Sequence, residues 1–455
     1  MPNITQLDQE FVWHPFTPTD SWLAAGFKPI VITEAEGSWL QDESGKRYLD
    51  GNSSIWTNLH GHRHPQLAHA LHDQIDRISH SSFLGLTNDV APQLAEKLCR
   101  LANLDRCFFS DDGSTAMEAS LKMLWQFYQQ NGQPQRQRFI SLSSGYHGDT
   151  IGAMSLSHSP TFHQTYKPLL FATEEVMTPY CYRCPYNQAR PEKTDARKTR
   201  RCHWECLDHV EKCFAKNSET AAAWVIEPRV QGAAGFIMQP ETYLEKTCNV
   251  AQGHGAKVIL DEVMTGFHRT GPLFSFQNED VKPDFIALAK GLTSGTMPLA
   301  ATLTTKEIFD GFRGDRSRTF FHGHSYTGNQ LGCSVSLASL ALLQEDNFAP
   351  EHEQRIQNLR HLSQRFWQLD CVGDVRQEGF ICAIELVKDF STRQPYDPAL
   401  RLGALVCQQA TLYGLITRPV GDVLVLMPPY STSLSELEKM VDALYKAIEE
   451  VILSL

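Results

Sequence analysis

The sequence lacks several things that would each have named a function. It contains no run of about 20 apolar residues, the length that crosses a bilayer. The opening stretch, MPNITQLDQEFVWHPF, carries Asp8 and Glu10 where a secretory leader would be apolar. No Gly-x-Gly-x-x-Gly turn follows a strand-like segment, and no Gly-x4-Gly-Lys-Ser/Thr loop occurs. The usual cradles for nicotinamide dinucleotides and nucleoside triphosphates are therefore missing. Basic charge is scarce: 41 Lys and Arg stand against 52 Asp and Glu, a net charge of -11. A surface of that sign repels nucleic acid and anionic lipid, so neither is expected as a partner. Twelve cysteines are scattered along the chain rather than packed as in a small secreted domain. Reduced thiols and a cytoplasmic location are expected.

What is present suits a large enzyme. With 42% hydrophobic and 20% charged residues over 455 positions, the chain can fill one large core and a smaller one. Ala221–Ile226, Lys257–Leu260 and Asp284–Ala289 read as short buried strands, separated by helix-like stretches long enough for crossovers. This alternation predicts an α/β domain around a mostly parallel sheet flanked by helices. Towards the C-terminus, Val423–Met427 reads as a strand. Ser433 and Glu436 then have capping-box spacing ahead of Leu437, Met440, Val441, Leu444 and Ile448 on one helical face. A smaller α+β domain is expected over 331–455, after a large domain over 61–330.

Two residues carry the chemistry. Asp261 and Lys290 each close a buried strand, and the 29 positions between them suit one strand–helix–strand step. Both side chains then face the crevice where open α/β sheets place ligands. A lysine withdrawn from water has a lowered pKa and acts as an amine nucleophile or base. The pair alone fits a buried salt bridge equally well. Gly113-Ser114 opens a helical face of Met117, Leu121, Leu124 and Tyr128, offering N–H groups and a hydroxyl to a phosphate, or simply starting a helix. Tyr146, among small residues in SSGYHGDT, can stack on a flat ring or merely pack.

These pieces come in the order Gly-Ser-helix, GYHGDT, IEPRVQG, ILDEVMTGFHRTG, ALAKGLTSGTMPLAA and HGHSYTGN. In that order the chain resembles the class III aminotransferases of pyridoxal phosphate (PLP) fold type I, over nearly its whole length. The resemblance implies PLP as cofactor, carried covalently by Lys290, with Asp261 on the ring nitrogen. Gly113 and Ser114 would hold the phosphate, Tyr146 and Val263 would flank the ring, and Glu227 would stand nearby. It also implies a homodimer with shared sites, in which Ser325, beside His324, reaches the neighbouring subunit's phosphate. Most members have Thr at the position of Ser325. Residues 1–60 would pack on the active site.

The chain ends, with Trp13-His14-Pro15-Phe16, GNSSIWTNLHGHRHPQL and TRPVGDVLVLMPPY, resemble the branch of that family that serves biotin synthesis. That implies small-molecule substrates: 8-amino-7-oxononanoate and an amino donor, S-adenosylmethionine or lysine. Arg418 would bind a carboxylate in two-point fashion, and Phe16, Ile55, Trp56 and Tyr146 would line the acyl tunnel. Phe16 stands where users of S-adenosylmethionine often have Tyr, and Ile55-Trp56 where they have a Trp pair. The alternative is a broad-specificity amine or β-alanine–pyruvate transaminase. Cys181-x2-Cys184 and Cys202-x3-Cys206 come near a four-cysteine zinc spacing, but the second pair has one residue too many. No metal is expected there, nor at the alternating His60, His62 and His64 or at His322 and His324.

Overall fold

The computed structural model describes residues 3–455, leaving the first two residues of the opening stretch outside the description. After the short helices Ile4–Phe11 and Thr19–Trp22 come three antiparallel strands: β1 (Ile32–Glu36), β2 (Trp39–Asp42) and β3 (Arg47–Asp50). A central sheet follows, built from β4 (Arg106–Ser110), β5 (Arg138–Leu142), β6 (Glu174–Val176) and β7 (Ala221–Ile226). After a short hairpin of β8 (Val230–Gln231) and β9 (Ile237–Met238), it is completed by β10 (Lys257–Asp261), β11 (Phe285–Leu288) and β12 (Ala300–Thr304). Its seven strands lie in the order β4-β12-β11-β10-β7-β5-β6, and only β12 runs against the rest. The predicted α/β sheet is thus present.

All six residues of β7 (AAAWVI) are buried. Such an unbroken apolar strand needs cover on both faces. Ala223 and Val225 pack with Met117 and Leu124 of the helix Gly113–Gln130, while Trp224 and Ile226 pack with Tyr243 and Leu244 of the helix Tyr243–Gly253. Strands β10 and β11 are parallel neighbours, with Asp261 paired to Ala287. This register brings Lys290 to the same sheet edge as Asp261.

The C-terminal part has its own antiparallel sheet, β13 (Val372–Glu378), β14 (Ile381–Leu386), β16 (Pro419–Val420) and β17 (Val423–Leu426), in the order β13-β14-β17-β16. The expected capping box is formed, with Ser433 Oγ accepting from the Glu436 N–H at 3.3 Å and the Glu436 carboxylate accepting from the Ser433 N–H at 2.8 Å. Between these elements β15 (Leu415–Ile416) leaves to pair in parallel with β3, through Leu49–Leu415 and Asp50–Ile416.

The segment Tyr180–Cys206 is tied to the C-terminal sheet by ion pairs, most of them buried. Arg183 pairs with Glu385 at 2.6 Å, and Arg376 pairs with Glu385 at 2.7 Å and Asp374 at 3.0 Å. Arg197 pairs with Asp195 and Glu378, and Arg229 with Glu378 and Glu279, at 2.6–2.7 Å. Among the described residues no helix is long and apolar enough to cross a membrane.

Candidate active site

A cavity of about 1470 Å³ opens at the C-terminal ends of β7 and β10. Asp261 ends β10, and its Oδ2 lies 2.8 Å from Nδ1 of His147, with both side chains almost wholly buried. Its Oδ1 accepts from the Val263 N–H at 3.1 Å. Burial opposes charge on the His147 ring, but the bond to Asp261, then the charges of Asp261 and Glu227, outweigh it and raise the pKa. His147 therefore holds a proton against Asp261 and fixes that carboxylate's direction. Sequence reasoning missed His147 because its neighbour Tyr146 drew the attention; the signal was its place inside GYHGDT.

Lys290 follows β11 with a left-handed backbone, φ 42°, which turns its side chain away from the strand line and into the cavity. Its ammonium sits 4.9 Å from the Trp56 ring centroid. Asp261 pairs with His147 instead, and no ion pair to Lys290 occurs among the described residues. Burial lowers its pKa, partly offset by Asp261 and Glu227. The bland reading of Asp261 and Lys290 as a buried salt bridge thus does not describe this structure.

Glu227 sits just beyond β7. Its Oε1 accepts from the Tyr146 N–H at 3.1 Å and its Oε2 from the Gly232 N–H at 2.9 Å. Burial pushes its carboxyl up to about 7 against the pull of His147. Tyr146 in turn donates its hydroxyl to Asp149 at 2.8 Å and lies parallel to His163.

The residues fit a flat phosphorylated ring. Asp112 caps the helix Gly113–Gln130 by accepting from the Thr115 N–H at 2.9 Å. Gly113 and Ser114, both on the cavity wall, thus stand at the positive end of an 18-residue helix. A Cβ at Gly113 would come within 2.7 Å of Val263 Cγ1, so only glycine lets the turn lie against that side chain. Tyr146 and Val263 both line the cavity that Asp261 and Lys290 share. Further out, Phe16, Ile55, Trp56 and Arg418 line the same cavity, as do Phe162, Arg183 and Arg401, which sequence reasoning did not single out. Phe162 meets both Phe16 and Tyr146 edge-on, at 5.8 and 5.9 Å. Its signal was too weak to read, a single aromatic in a four-residue helix, Pro160–His163.

Ile55 and Trp56 reach the wall through an unusual backbone. Ser53, Ser54, Ile55 and Trp56 have φ of 53°, 49°, 64° and 69°, so four consecutive non-glycine residues form one left-handed turn. Each costs about 1–2 kcal/mol relative to a right-handed conformation, and strain of this kind gathers at functional sites.

Two of the predicted residues are not in this chain's cavity. His324 lies 3.6 Å from Asp111 and does not line the wall, and Ser325 accepts from His80 through its backbone carbonyl at 2.7 Å. Among the described residues no group of three or more His, Cys, Asp or Glu side chains is placed to hold a metal ion. Cys181, Cys184, Cys202 and Cys206 carry no disulfide, and burial pushes Cys181 and Cys206 up to about 12. Those two are accordingly protonated packing thiols.

Residues 23–448 match the family model for aminotransferase class-III. The chain belongs to the class III aminotransferases. It is a PLP-dependent transaminating enzyme of fold type I. It is 45% identical to the adenosylmethionine-8-amino-7-oxononanoate aminotransferase of Geobacter sulfurreducens, over 98% of this chain and 97% of that one. The crystal structure of the enzyme of that name from Methanocaldococcus jannaschii superposes with a TM-score of 0.91 at 38% identity, covering 98% of each chain. The ω-transaminase of Pseudomonas jessenii, solved in complex with PMP, also reaches 0.91, at 29% identity over 100% of this chain and 99% of that one.

Proposed function

We propose that this aminotransferase converts 8-amino-7-oxononanoate to 7,8-diaminononanoate in biotin synthesis, taking the amino group from S-adenosylmethionine or lysine. The observation that carries the reading is the 45% identity, end to end, with a relative of that name. The cavity supports it. A nine-carbon acid wants an apolar wall and one cation, and Phe16, Ile55 and Trp56 share their cavity with Arg418. The ω-transaminases that superpose equally well favour a second reading, a broad-specificity amine or β-alanine–pyruvate transaminase, at lower identity.

PLP, when bound, supplies the electron sink that lets a C–H bond beside an amine break and re-form. The residues have separate tasks. Gly113 and Ser114 hold the phosphate, and Tyr146 and Val263 flank the ring plane. Asp261, aimed by His147, keeps the ring nitrogen protonated. The Lys290 amine would carry the cofactor and, as the base of the site, would move a proton between the two carbons. Its lowered pKa favours the uncharged amine that this role needs.

The homodimer belongs to the same proposal. Leu84, Leu86, Phe321 and Tyr326 are 60–85% exposed on segments near His324 and Ser325. A second copy covering them would place those two residues at its own cofactor phosphate. We also propose the chain divisions 1–60, 61–330 and 331–455.

The test is a half-reaction. The PLP-loaded protein is mixed, without acceptor, with S-adenosylmethionine, lysine or alanine, and the cofactor's visible absorption is followed. Conversion to the aminated form by S-adenosylmethionine or lysine is expected. Fast conversion by alanine, with none from the other two, would move the enzyme to the amine transaminases.

A further inference from the structure

The left-handed turn Ser53–Trp56 cannot hold itself by its own backbone bonds alone, and what holds it lies outside the cavity. Its internal bonds run from the Trp56 N–H to Asn52 O at 2.8 Å, and from the Thr57 and Asn58 N–H groups to Ser53 O at 3.0 Å. A right-handed turn would make equivalent bonds without the clash of each Cβ against its own carbonyl. The choice of hand is therefore made by side chains.

Asp50 makes it. Its residue is 0% exposed, at the end of β3. Oδ1 accepts from the Ser54 N–H at 3.0 Å and from the Asn52 N–H at 3.4 Å. Oδ2 accepts from the Ser54 hydroxyl at 2.8 Å and lies 3.0 Å from Nε2 of His62. The other ring nitrogen of His62 accepts from the Asn58 side-chain amide at 3.1 Å, which fixes the tautomer with the proton on Nε2, facing Asp50. One carboxylate thus satisfies both donors of Ser54, inside the turn, while the ring of His62 stops it from rotating away. A second tie, the Ser53 hydroxyl to Met427 O at 2.7 Å, holds the start of the turn.

Asp50 does not line the cavity, but Ile55, Trp56 and Thr57 do. Trp56 stands over the Lys290 amine and meets Phe236 edge-on at 5.2 Å. Without the clamp the turn has a lower-energy right-handed alternative, and both wall side chains would leave their places. Lys290, Asp261 and His147 sit on other segments and would stay.

We propose that Asp50, oriented by His62, is the positioning residue for the substrate wall, holding Ser53–Trp56 left-handed so that Ile55 lines the cavity and Trp56 stands over the reacting amine. The inference rests on Lys290 being the reacting residue, and does not depend on which donor is used.

Asp50→Ala should keep the visible absorption of lysine-bound cofactor. It should raise KM for whichever donor serves the wild type by at least about tenfold, as lost wall contact removes binding rather than chemistry. Asp50→Asn keeps an acceptor for the Ser54 N–H and should stay within about threefold of wild type. The decisive variant is Asp50→Ala combined with Ser54→Gly. Glycine takes positive φ without penalty, so a turn that needed a clamp should need it less, and most of the lost KM should return. Unchanged KM in Asp50→Ala would overturn the proposal. So would a double variant no better than Asp50→Ala, because a merely structural carboxylate would not be replaced by a glycine four residues away. Should Asp50→Ala not fold, Ser54→Ala removes only the hydroxyl bond and must itself raise KM. A wild type without lysine-bound cofactor absorption would instead sink the Lys290 reading.

Discussion

At the scale of single residues, the site turns on how few groups stand between Asp261 and water. Its oxygens are taken by one imidazole and one backbone N–H. Replacing His147 by Phe should cost about 10- to 100-fold in kcat/KM, the rate equivalent of the roughly 1.5–3 kcal/mol carried by a hydrogen bond to a charged group. Cofactor should still bind, and its spectrum is the control. An unchanged kcat/KM would mean that Asp261 needs no orienting partner. Lys290, Asp261, Gly113 and Ser114 were legible in the sequence because each ends a strand or opens a helix, where hydrophobic patterning gives the position away. His147 and Phe162 were not, because one lies in irregular chain and the other in a four-residue helix too short to show a periodic pattern.

At the scale of elements, patterning was reliable wherever burial is one-sided or complete. β7 and the final helix are found where alternation and capping placed them, within a residue or two. Ser433→Ala should lower stability by about 1 kcal/mol (range 0.5–2) in urea denaturation, without altering cofactor absorption. A loss below that range would mean that the cap is redundant with the packing of Leu437 and Met440. The left-handed turn was invisible for the opposite reason. Ser-Ser-Ile-Trp contains no glycine to announce positive φ, and the residues that enforce it, Asp50 and His62 nearby and Met427 far along the chain, form no periodic pattern.

At the scale of the whole molecule, four guanidinium groups (Arg183, Arg197, Arg229, Arg376) face five carboxyls (Asp195, Glu279, Asp374, Glu378, Glu385) across the junction of the sheets. The imbalance is met if one carboxyl keeps a proton, and burial pushes Asp374 up to about 7. A carboxyl raised above its unfolded value lends stability below the unfolded pKa and loses it as pH climbs through the folded one. Wild type should therefore lose melting temperature between about pH 4 and pH 7 more steeply than Asp374→Asn, with thermal melts as the measure. Equal slopes would place the proton elsewhere. This network was unreadable in the sequence, since each partner is an ordinary charged residue until the fold brings it inside.

The pairing of β3 with β15 has a consequence in time. Gly51 donates to Ile416 O and accepts from the Met427 N–H, each at 2.8 Å, and Leu59 accepts from Tyr430. A ribosome extends the chain from its N-terminus, so residues 50–59 must wait for partners some 365 positions later. The slot between Asp261 and Lys290 can form before then, from strands already made. The substrate wall cannot. During synthesis there is thus an interval in which the strands that carry Asp261 and Lys290 are complete while the chain has nothing yet to tell one amine from another.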